Sequence, residues 1–381
     1  MSAPVIQGWC PGALRPMMSG DGLVVRIRAH LGRLTRAQAM EIARLSRAFG
    51  NGLIDLSARA NLQLRGVRVD SHPPLIEGLA ALGLIDADAA REARRNIVLS
   101  PFWRENDATP RLARALETAL AAPDAPALPS KFGFAVDCGP APVLRDISTD
   151  IRLERDAQGD LLVIADGAPH GLRVSEAEAI SAAIALARWF LASGGAPEGR
   201  GRMRKHLAKV SLPENFARHA RNPDSLTPPL PGLHPQGALI GFAFGQMQAE
   251  TLAALAHLGN LRITPWRMLL VEGATTLPDL PEIITRGDDP MLRVIACTGA
   301  PGCVQAHQPT RALARALAPL IRKQGLLHLS GCAKGCAHPD PAPLTLVATP
   351  EGFDLIRDGN AAAPPAITGL PPDPNDILKA L

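Results

Sequence analysis

The sequence predicts an α+β protein built from two related halves, and three observations support that prediction. At 381 residues the chain is too long for one ordinary hydrophobic core. A strand, helix and strand pattern near its start recurs from residue 237 onward. Between the two occurrences lies a segment with five prolines (residues 221–235), which is typical of an extended linker.

The first unit is predicted from hydrophobic alternation and a helix start signal. Residues 22–30 alternate apolar and mainly basic side chains, as a strand does. Thr35 and Gln38 have the spacing of a capping box, so a helix should begin there and end at residues 50–52, Gly-Asn-Gly. A second strand region is predicted over residues 53–67.

The second unit repeats this order. Residues 237–245 predict a strand, a helix-like segment follows, and L-R-I-T-P-W-R-M-L-L-V-E-G closes the unit. Aligning Gly66 with Gly273 superimposes the closing segments of the two units, although few side chains are identical. We therefore expect two halves that meet around a pseudo-two-fold axis.

Two further segments carry local signals. Ser175 and Glu178 form a second capping box, which predicts a helix over 175–193 before two glycines. The stretch from Ala361 onward is rich in Ala and Pro, so we expect a loosely packed, extended tail.

The composition of the chain indicates where the protein is located and which classes of partner it binds. A hydrophobic fraction of 46%, a charged fraction of 20% and a net charge of +4 fit a soluble globular protein and do not indicate nucleic acid. No basic segment followed by an apolar run opens the chain, and no apolar stretch reaches the roughly 18 residues of a membrane helix. We therefore expect a cytoplasmic protein without a membrane partner.

Four of the six cysteines form two pairs at motif spacing. C-T-G-A-P-G-C carries Cys297 and Cys303, and C-A-K-G-C carries Cys332 and Cys336. Each pair follows an apolar, strand-like run and contains glycine, which lets backbone N–H groups approach the sulfides of a cluster. We therefore predict one 4Fe–4S cluster on these four cysteines.

Two alternatives compete with the cluster. Structural zinc usually takes cysteines about two to four residues apart, and the gap between Cys297 and Cys303 is wider. Unrelated buried thiols would not be expected to gather in two short, glycine-containing loops. Cys10 and Cys138 have no partner at such spacing, and we interpret them as ordinary thiols.

A polar strand face is predicted in the first half. Alternation over 59–65 places four side chains that can bind anions on one face: Arg59, Asn61, Gln63 and Arg65. The alternative is the solvated face of an antiparallel sheet. The equivalent strand of the second half carries apolar or aromatic residues instead: Trp266, Met268 and Leu270. This asymmetry favours an anion-binding surface in the first half and the cluster in the second.

With these motifs the chain resembles the nitrite and sulfite reductase superfamily over nearly its whole length. In that superfamily a C-x5-C…C-x3-C set holds a 4Fe–4S cluster beside sirohaem, between two pseudo-symmetric halves. The resemblance implies anion contacts for Arg59 in S-A-R-A-N-L-Q-L, for Arg95 in R-R-N-I-V-L-S-P and for Lys131 in L-P-S-K-F-G-F. It also implies that Cys336 reaches toward the tetrapyrrole iron.

The implied fold has four parts around a central cleft for cofactor or substrate. Residues 1–72 would form a ferredoxin-like half-domain, and 73–222 a first reductase-like domain that binds the anion or tetrapyrrole. Residues 223–290 would form the linker and the second ferredoxin-like half-domain. The second reductase-like domain, with the cluster, would span 291–381.

Departures from the reductase pattern point to one family within the superfamily. Gly133 stands where the reductases carry a second lysine, so a nitrite or sulfite pocket would lose a cation. Four segments are similar to the precorrin-3B synthase family: C-P-G-A-L-R-P-M-M-S-G-D-G-L, L-P-S-K-F-G-F-A-V-D, T-P-W-R and G-C-A-K-G-C-A-H-P. The similarity implies an O2-dependent monooxygenase of aerobic cobalamin biosynthesis. Such an enzyme hydroxylates a meso carbon of precorrin-3A and closes a lactone with the ring A acetate. It also implies a mononuclear non-haem iron and no sirohaem.

The substrate and electron donor follow from that similarity. The carboxylates of the tetrapyrrole would meet Arg59, Arg65, Arg95 and Lys131 in charge-assisted hydrogen bonds. No G-x-G-x-x-G follows a strand, so a separate NAD(P)H-linked reductase is expected to supply electrons. Two alternatives stay open: a sirohaem-dependent nitrite or sulfite reductase, and a cluster-bearing carrier or redox sensor without a catalytic site. The sequence does not identify the ligands of the mononuclear iron, and His307 and His338 are not assigned that role.

Overall fold

The structure is a computed structural model that describes residues 10–321 and 325–380. Residues 1–9, 322–324 and 381, which belong to the predicted first and last domains, lie outside the described residues. Strands of the described chain form four sheets, called sheets 1 to 4 below. No helix in the described ranges has the length and apolar character to span a membrane.

Sheets 1 and 3 are antiparallel and contain the two repeated units predicted from the sequence. In spatial order, sheet 1 consists of Met17–Ser19, Gly22–Ile27, Leu62–Val67, Leu53–Leu56 and Gln246–Gln248. Sheet 3 consists of Gly232–His234, Gly237–Phe242, Met268–Glu272, Leu261–Ile263 and Arg33–Leu34, with Ile283–Ile284 paired to Gly237–Phe242.

The two units exchange their edge strands. Gln246–Gln248 of the second half pairs with Leu53–Leu56 in sheet 1, and Arg33–Leu34 of the first half pairs with Leu261–Ile263 in sheet 3. One hydrophobic core of aliphatic side chains continues across both units. Each sheet is therefore complete only when both halves are present.

Backbone conformation repeats at the positions that the sequence alignment made equivalent. Gly66 and Gly273 both have positive φ angles, 66° and 70°. Ala60 and Arg267, also equivalent, lie in the left-handed region with φ of 52° and 61°. The turn geometry is thus retained although the side chains differ, and this supports the predicted duplication.

The predicted strand alternation is wrong for the start of the 59–65 segment. Residues 57–61 form a turn closed by a hydrogen bond from the Ser57 N–H to the Asn61 carbonyl (2.9 Å), and the strand begins only at Leu62. Arg59 therefore lies in a turn and not on a strand face. The left-handed Ala60 breaks the extended conformation that alternation requires.

Sheets 2 and 4 share one topology. In spatial order, sheet 2 consists of Ile97–Leu99, Phe134–Asp137, Ile151–Arg155, Leu161–Ala165, His170–Arg173 and His219–Ala220. Sheet 4 consists of Val294–Ala296, Leu327–Ser330, Ala342–Thr349, Gly352–Gly359 and Ile367–Leu370. In both sheets the first three strands are parallel and the later pairs antiparallel. The duplication therefore extends to the larger domains.

The helices confirm both capping boxes. Thr35 caps Arg36–Phe49 together with Gln38, and Ser175 caps Glu176–Ala192 together with Glu178. The other α-helices are His72–Ala81, Ala89–Arg94, Ala108–Ala121, Met203–Leu207, Ala249–Leu258, Arg311–Leu317 and Pro374–Ala380. Short 3-10 helices occupy His30–Gly32, Pro197–Gly199, Glu214–Ala217, Ala243–Gly245, Pro290–Arg293 and Ala318–Leu320.

The prediction of a loosely packed tail after Ala361 is wrong. Ile367–Leu370 pairs with Gly352–Gly359 as a strand of sheet 4. Pro374–Ala380 is a helix, and its Ile377 is fully buried in the core of that domain. Leu370, Leu378 and Ala380 pack against the same core, so this segment is part of the folded domain.

Candidate active site

The two cysteine loops leave one edge of sheet 4. The strands predicted before the two cysteine pairs are confirmed as Val294–Ala296 and Leu327–Ser330, and the structure shows that they are parallel neighbours. Because parallel neighbouring strands end at the same edge, the segments 297–303 and 331–336 follow side by side.

The four cysteines lie within electrostatic reach of one another. Burial, together with the negative charges that Cys297, Cys303 and Cys332 would carry as thiolates, raises the pKa of Cys336 to about 11. Burial also raises the pKa of Cys297. Deprotonation of all four thiols therefore needs a compensating cation close by.

The surroundings of Cys297 suit a sulfur ligand. The Gly331 N–H donates a hydrogen bond to the Cys297 Sγ at 3.0 Å. A Cβ on Gly331 would lie 3.3 Å from that Sγ and 2.7 Å from the Ala306 Cβ, so glycine allows the close approach. A cluster offers each thiolate one iron and accepts such N–H donors at its sulfurs. The donor set therefore fits a 4Fe–4S cluster.

The described part of the chain contains no evident site for a single metal ion. Within residues 10–321 and 325–380, no three His, Cys, Asp or Glu side chains, the four cysteines included, gather as ligands of one ion. His328 and His338 contact each other edge to face, with ring centroids 5.6 Å apart, and burial lowers the pKa of His328 to about 4. Two imidazoles are too few for a mononuclear non-haem iron, which usually takes a third protein ligand. We therefore assign no residue to such an iron.

Arg65 is buried against the first cysteine loop. Its Nε and Nη2 donate to the Asp21 carboxylate at 3.0 and 2.6 Å, and Nη2 also reaches the Gly302 carbonyl oxygen at 3.1 Å. Only 6% of its side chain is exposed. Its hydrogen bonds are therefore made within the protein.

Arg95 is engaged in a similar way. Its Nε and Nη2 each donate to the Asp86 carboxylate at 2.9 Å, and Nη2 donates to the Arg28 carbonyl at the same distance. Glu117 lies 3.7 Å from Nη1. The sequence predicted that Arg95 contacts the substrate. In the structure its charge is already neutralised by two carboxylates of the protein.

Arg59 and Lys131 are adjacent and remain available. Arg59 donates through Nη2 to the Lys131 carbonyl at 3.1 Å and makes no ion pair in the described part of the chain. It lines a small cavity together with Asn96 and Gly133. Burial lowers the pKa of Arg59. The buried Asn61 supports this turn by donating to the Arg59 carbonyl at 2.9 Å.

Arg26 is a cation of the same region that the sequence analysis did not select. Its Nε and Nη2 donate to the Gln63 Oε1 at 3.2 and 2.7 Å, while its buried Nη1 has no hydrogen-bond partner among residues 10–321 and 325–380. Burial lowers the pKa of Arg26 to about 10, the nearby Cys10 thiol opposes that shift, and Arg59 adds to it. An anion between Arg26 and Arg59 would offset the free-energy cost of burying their charges and the repulsion between the two guanidinium groups. The sequence feature that could have identified Arg26 is its place among the basic side chains that alternate with apolar ones over residues 22–30.

A basic cavity of about 420 Å³ opens beside Lys131. Its walls come from residues 129–131 and 194–209 and contain five cationic side chains and no carboxylate: Lys131, Arg200, Arg202, Lys205 and Lys209. Arg202 pairs with Asp150 at 2.9 Å, whereas the other four make no ion pair among the described residues. The sequence signal was the density of Gly and basic residues after position 193, which was not used.

The basic cavity and the Arg59 cavity share a wall. Arg202 lines the first and donates to the Ser148 hydroxyl at 2.8 Å and to the Thr149 carbonyl at 3.0 Å. Both Ser148 and Thr149 line the second cavity. A ligand with several carboxylates could therefore engage cations on both sides of this wall.

Comparisons with known proteins agree with this architecture. Residues 15–82 match the family described as the nitrite/sulfite reductase ferredoxin-like half domain. The fold is similar to that of the Mycobacterium tuberculosis NirA protein, with a TM-score of 0.63 over 87% of this chain and 74% of that chain, at 18% identity. The fold and the half-domain match together define a nitrite and sulfite reductase-like fold.

Full-length relatives narrow that class. A precorrin-3B synthase from Sinorhizobium sp is 31% identical over 100% of this chain and 88% of its own length. A ferredoxin–nitrite reductase from Synechococcus elongatus is 25% identical over 96% of this chain and 86% of its own length. The chain belongs to the precorrin-3B synthase family, as the sequence motifs predicted, and this membership supports an enzymatic role in cobalamin biosynthesis.

Proposed function

We propose that this protein is the O2-dependent monooxygenase that converts precorrin-3A into precorrin-3B in aerobic cobalamin biosynthesis. The reaction hydroxylates a meso carbon and closes a lactone with the ring A acetate. One oxygen atom enters the product and the other leaves as water, which consumes an electron pair from a separate donor. The full-length identity to the Sinorhizobium protein carries the proposal.

In this proposal Cys297, Cys303, Cys332 and Cys336 hold a 4Fe–4S cluster. When bound, such a cluster accepts and donates single electrons. The electrons would come from an NAD(P)H-linked reductase in the cytoplasm. The proposal also includes a mononuclear non-haem iron and no sirohaem, and it assigns no ligand to that iron.

The residues of the chain bind and orient the substrate. Precorrin-3A is a metal-free tetrapyrrole whose acetate and propionate arms carry negative charge. Arg26 and Arg59 would meet carboxylates on one side of the shared wall, and Lys131, Arg200 and Lys205 on the other. Charged hydrogen bonds of this kind each contribute about 1.5–3 kcal/mol. Several of them would fix the macrocycle in one orientation.

Gly133 favours this substrate over a small oxyanion. A Cβ at this position would lie 3.2 Å from the Asn96 carbonyl oxygen, and the Gly133 N–H donates to Asp150 Oδ2 at 2.9 Å. A lysine here would crowd that carbonyl. The small cavity beside Arg59 therefore lacks the second cation that the reductases use for nitrite or sulfite.

A sirohaem-dependent nitrite or sulfite reductase is the second candidate, because the Synechococcus reductase aligns with 96% of this chain. The two candidates differ in what occupies the tetrapyrrole site. The monooxygenase would bind its substrate there, while the reductase would bind sirohaem permanently. An electron carrier would need neither the basic cavity nor the buried Arg26.

One experiment separates these functions. The protein is purified without oxygen, its iron and sulfide are measured, and extracted pigment is analysed for sirohaem. Oxygen labelled with 18O is then supplied with precorrin-3A and a reductant. We expect an iron–sulfur spectrum, no sirohaem, and a product that contains one labelled atom. Bound sirohaem with nitrite or sulfite turnover would reject the monooxygenase, and a cluster without any turnover would favour the carrier.

A further inference from the structure

Three donors of the first half converge on one carbonyl of the loop that joins the first cysteine pair. The Gly302 carbonyl oxygen accepts from the Ser19 hydroxyl at 2.7 Å, from the Gly20 N–H at 3.2 Å and from Arg65 Nη2 at 3.1 Å. A carbonyl oxygen has two lone pairs, so this acceptor is fully occupied. The 297–303 loop is thus attached to sheet 1 immediately before Cys303.

The approach of the two backbones depends on a missing side chain. A Cβ on Gly20 would lie 2.2 Å from the Pro301 carbonyl oxygen, a distance that no real Cβ contact shows. Glycine at position 20 therefore permits the contact. The loop could not come this close to sheet 1 if any other residue stood there.

Arg65 is held rigidly for this contact. Asp21 binds it in a bidentate pair, and Asp55 lies 3.8 Å from its Nη1. A planar guanidinium in such a pair presents its remaining N–H donors in a fixed direction. Here the remaining Nη2 hydrogen is shared between the Gly302 carbonyl oxygen at 3.1 Å and the Ser19 hydroxyl at 3.2 Å.

We propose that Ser19, Asp21 and Arg65, called here the loop clamp, position the 297–303 loop and thereby set the retention and reduction potential of the cluster. The inference rests on the proposed 4Fe–4S cluster. Residues of the clamp touch a loop carbonyl and no cysteine sulfur, so they are positioning residues. Hydrogen bonding and solvent access around the sulfurs tune iron–sulfur potentials, and partners behind the ligands govern metal affinity.

The clamp also explains how the halves cooperate. Arg311, at the start of the helix after the first cysteine loop, lies 3.7 Å from Asp55 and senses the charges of both Cys297 and Arg65. Two arginines and the carboxylates of Asp21 and Asp55 thus bridge sheet 1 and the cluster domain. Their opposite charges are balanced, which suits a partly buried contact.

Two clamp variants and one matched control test the inference in the holoenzyme. S19A removes the shortest of the three hydrogen bonds to Gly302 without changing any charge. Arg65 Nη2, which also donates to the Ser19 hydroxyl at 3.2 Å, keeps its hydrogen bond to Gly302 in this variant. R65Q removes the bidentate pair. R68Q is the control, because Arg68 binds Asp70 in the same bidentate way but is 75% exposed and lies just beyond the strand. For each protein we measure the rate of iron release to a chelator, the reduction potential by redox titration, and the apparent KM for precorrin-3A.

We expect S19A to bind a full cluster and to release iron about three- to tenfold faster, the range that one hydrogen bond implies. R65Q should release iron faster still, both variants should shift the potential, and R68Q should match the parent protein. An unchanged potential and release rate in S19A and R65Q, with a raised KM in R65Q, would overturn the clamp and return Arg65 to substrate binding. A parent protein that assembles no cluster would instead reject the cofactor on which the inference rests.

Discussion

Substitution of Arg59 by glutamine should weaken substrate binding while leaving the fold nearly unchanged. Among the described residues the Arg59 side chain donates one hydrogen bond, to a neutral carbonyl at 3.1 Å, so its loss should lower the free energy of unfolding by only about 0.5–1.5 kcal/mol. A lost contact with a substrate carboxylate is larger, about 1.5–3 kcal/mol. That corresponds to a dissociation constant raised about 10- to 150-fold.

Arg95 should show the opposite pattern and serves as the comparison. The R95Q variant leaves Asp86, whose side chain is 13% exposed, without its bidentate partner. Breaking a buried pair costs about 3–5 kcal/mol, and we expect the lower end because Asp86 keeps some solvent contact. Substrate affinity of the folded fraction should stay within about threefold of the parent value, about 0.7 kcal/mol.

The assay combines two measurements on each variant. Thermal unfolding followed by circular dichroism gives the stability, and titration with precorrin-3A in the absence of oxygen gives the affinity. R44Q is a surface control, because Arg44 pairs with Glu41 on an exposed helix face. Equal losses of affinity in R59Q and R95Q, or an unchanged affinity in R59Q, would refute the division between a binding arginine and a structural one.

The remaining predictions concern the basic cavity, a buried carboxyl and Gly133. Replacing Lys205 and Lys209 by glutamine should weaken precorrin-3A binding about tenfold and reduce its dependence on salt, as titrations at two ionic strengths can show. Burial raises the pKa of Asp137 to about 6 from 3.8, so the folded state holds the proton more tightly and stability rises as the pH falls through that interval. D137N should abolish this dependence and raise stability at pH 8 by up to about 3 kcal/mol, measured by denaturant unfolding. G133K should crowd the Asn96 carbonyl, lower the melting temperature and yield no nitrite reduction.

Each of these predictions has a clear contrary outcome. Full affinity in the double lysine variant would remove the basic cavity from the substrate site. A D137N protein that stays as pH-dependent as its parent between pH 4 and 6 would place the responsible group elsewhere. A stable G133K protein that reduces nitrite would show that one cation separates the two activities.

Local signals were read correctly because their partners are close in sequence. In the capping boxes at Thr35 and Ser175 both hydrogen-bonding groups lie within three residues, so spacing alone defines the geometry. The same holds for the strands before the cysteine loops. The pairing of Arg65 with Asp21 and of Arg95 with Asp86 joins residues 44 and nine positions apart, and no periodicity reports it.

Predictions from composition failed where only a few residues of a segment pack into the core. The tail after Ala361 looked loose because Ala and Pro dominate it, yet the fully buried Ile377, with Leu378 and Ala380 beside it, anchors its last helix in the core. The basic cavity was missed for a related reason. Its lysines and arginines come from two segments far apart in the chain, and only the folded backbone brings 129–131 beside 194–209.

The exchanged edge strands impose an order on biosynthesis. While the ribosome is still translating the linker, Leu53–Leu56 has no neighbour on one side, since its partner Gln246–Gln248 does not yet exist. An open strand edge of this kind can pair with another nascent chain. The first half therefore carries an unpaired strand edge until residue 248 leaves the exit tunnel. A truncated product that ends in the linker would keep that edge permanently open and would be prone to aggregate.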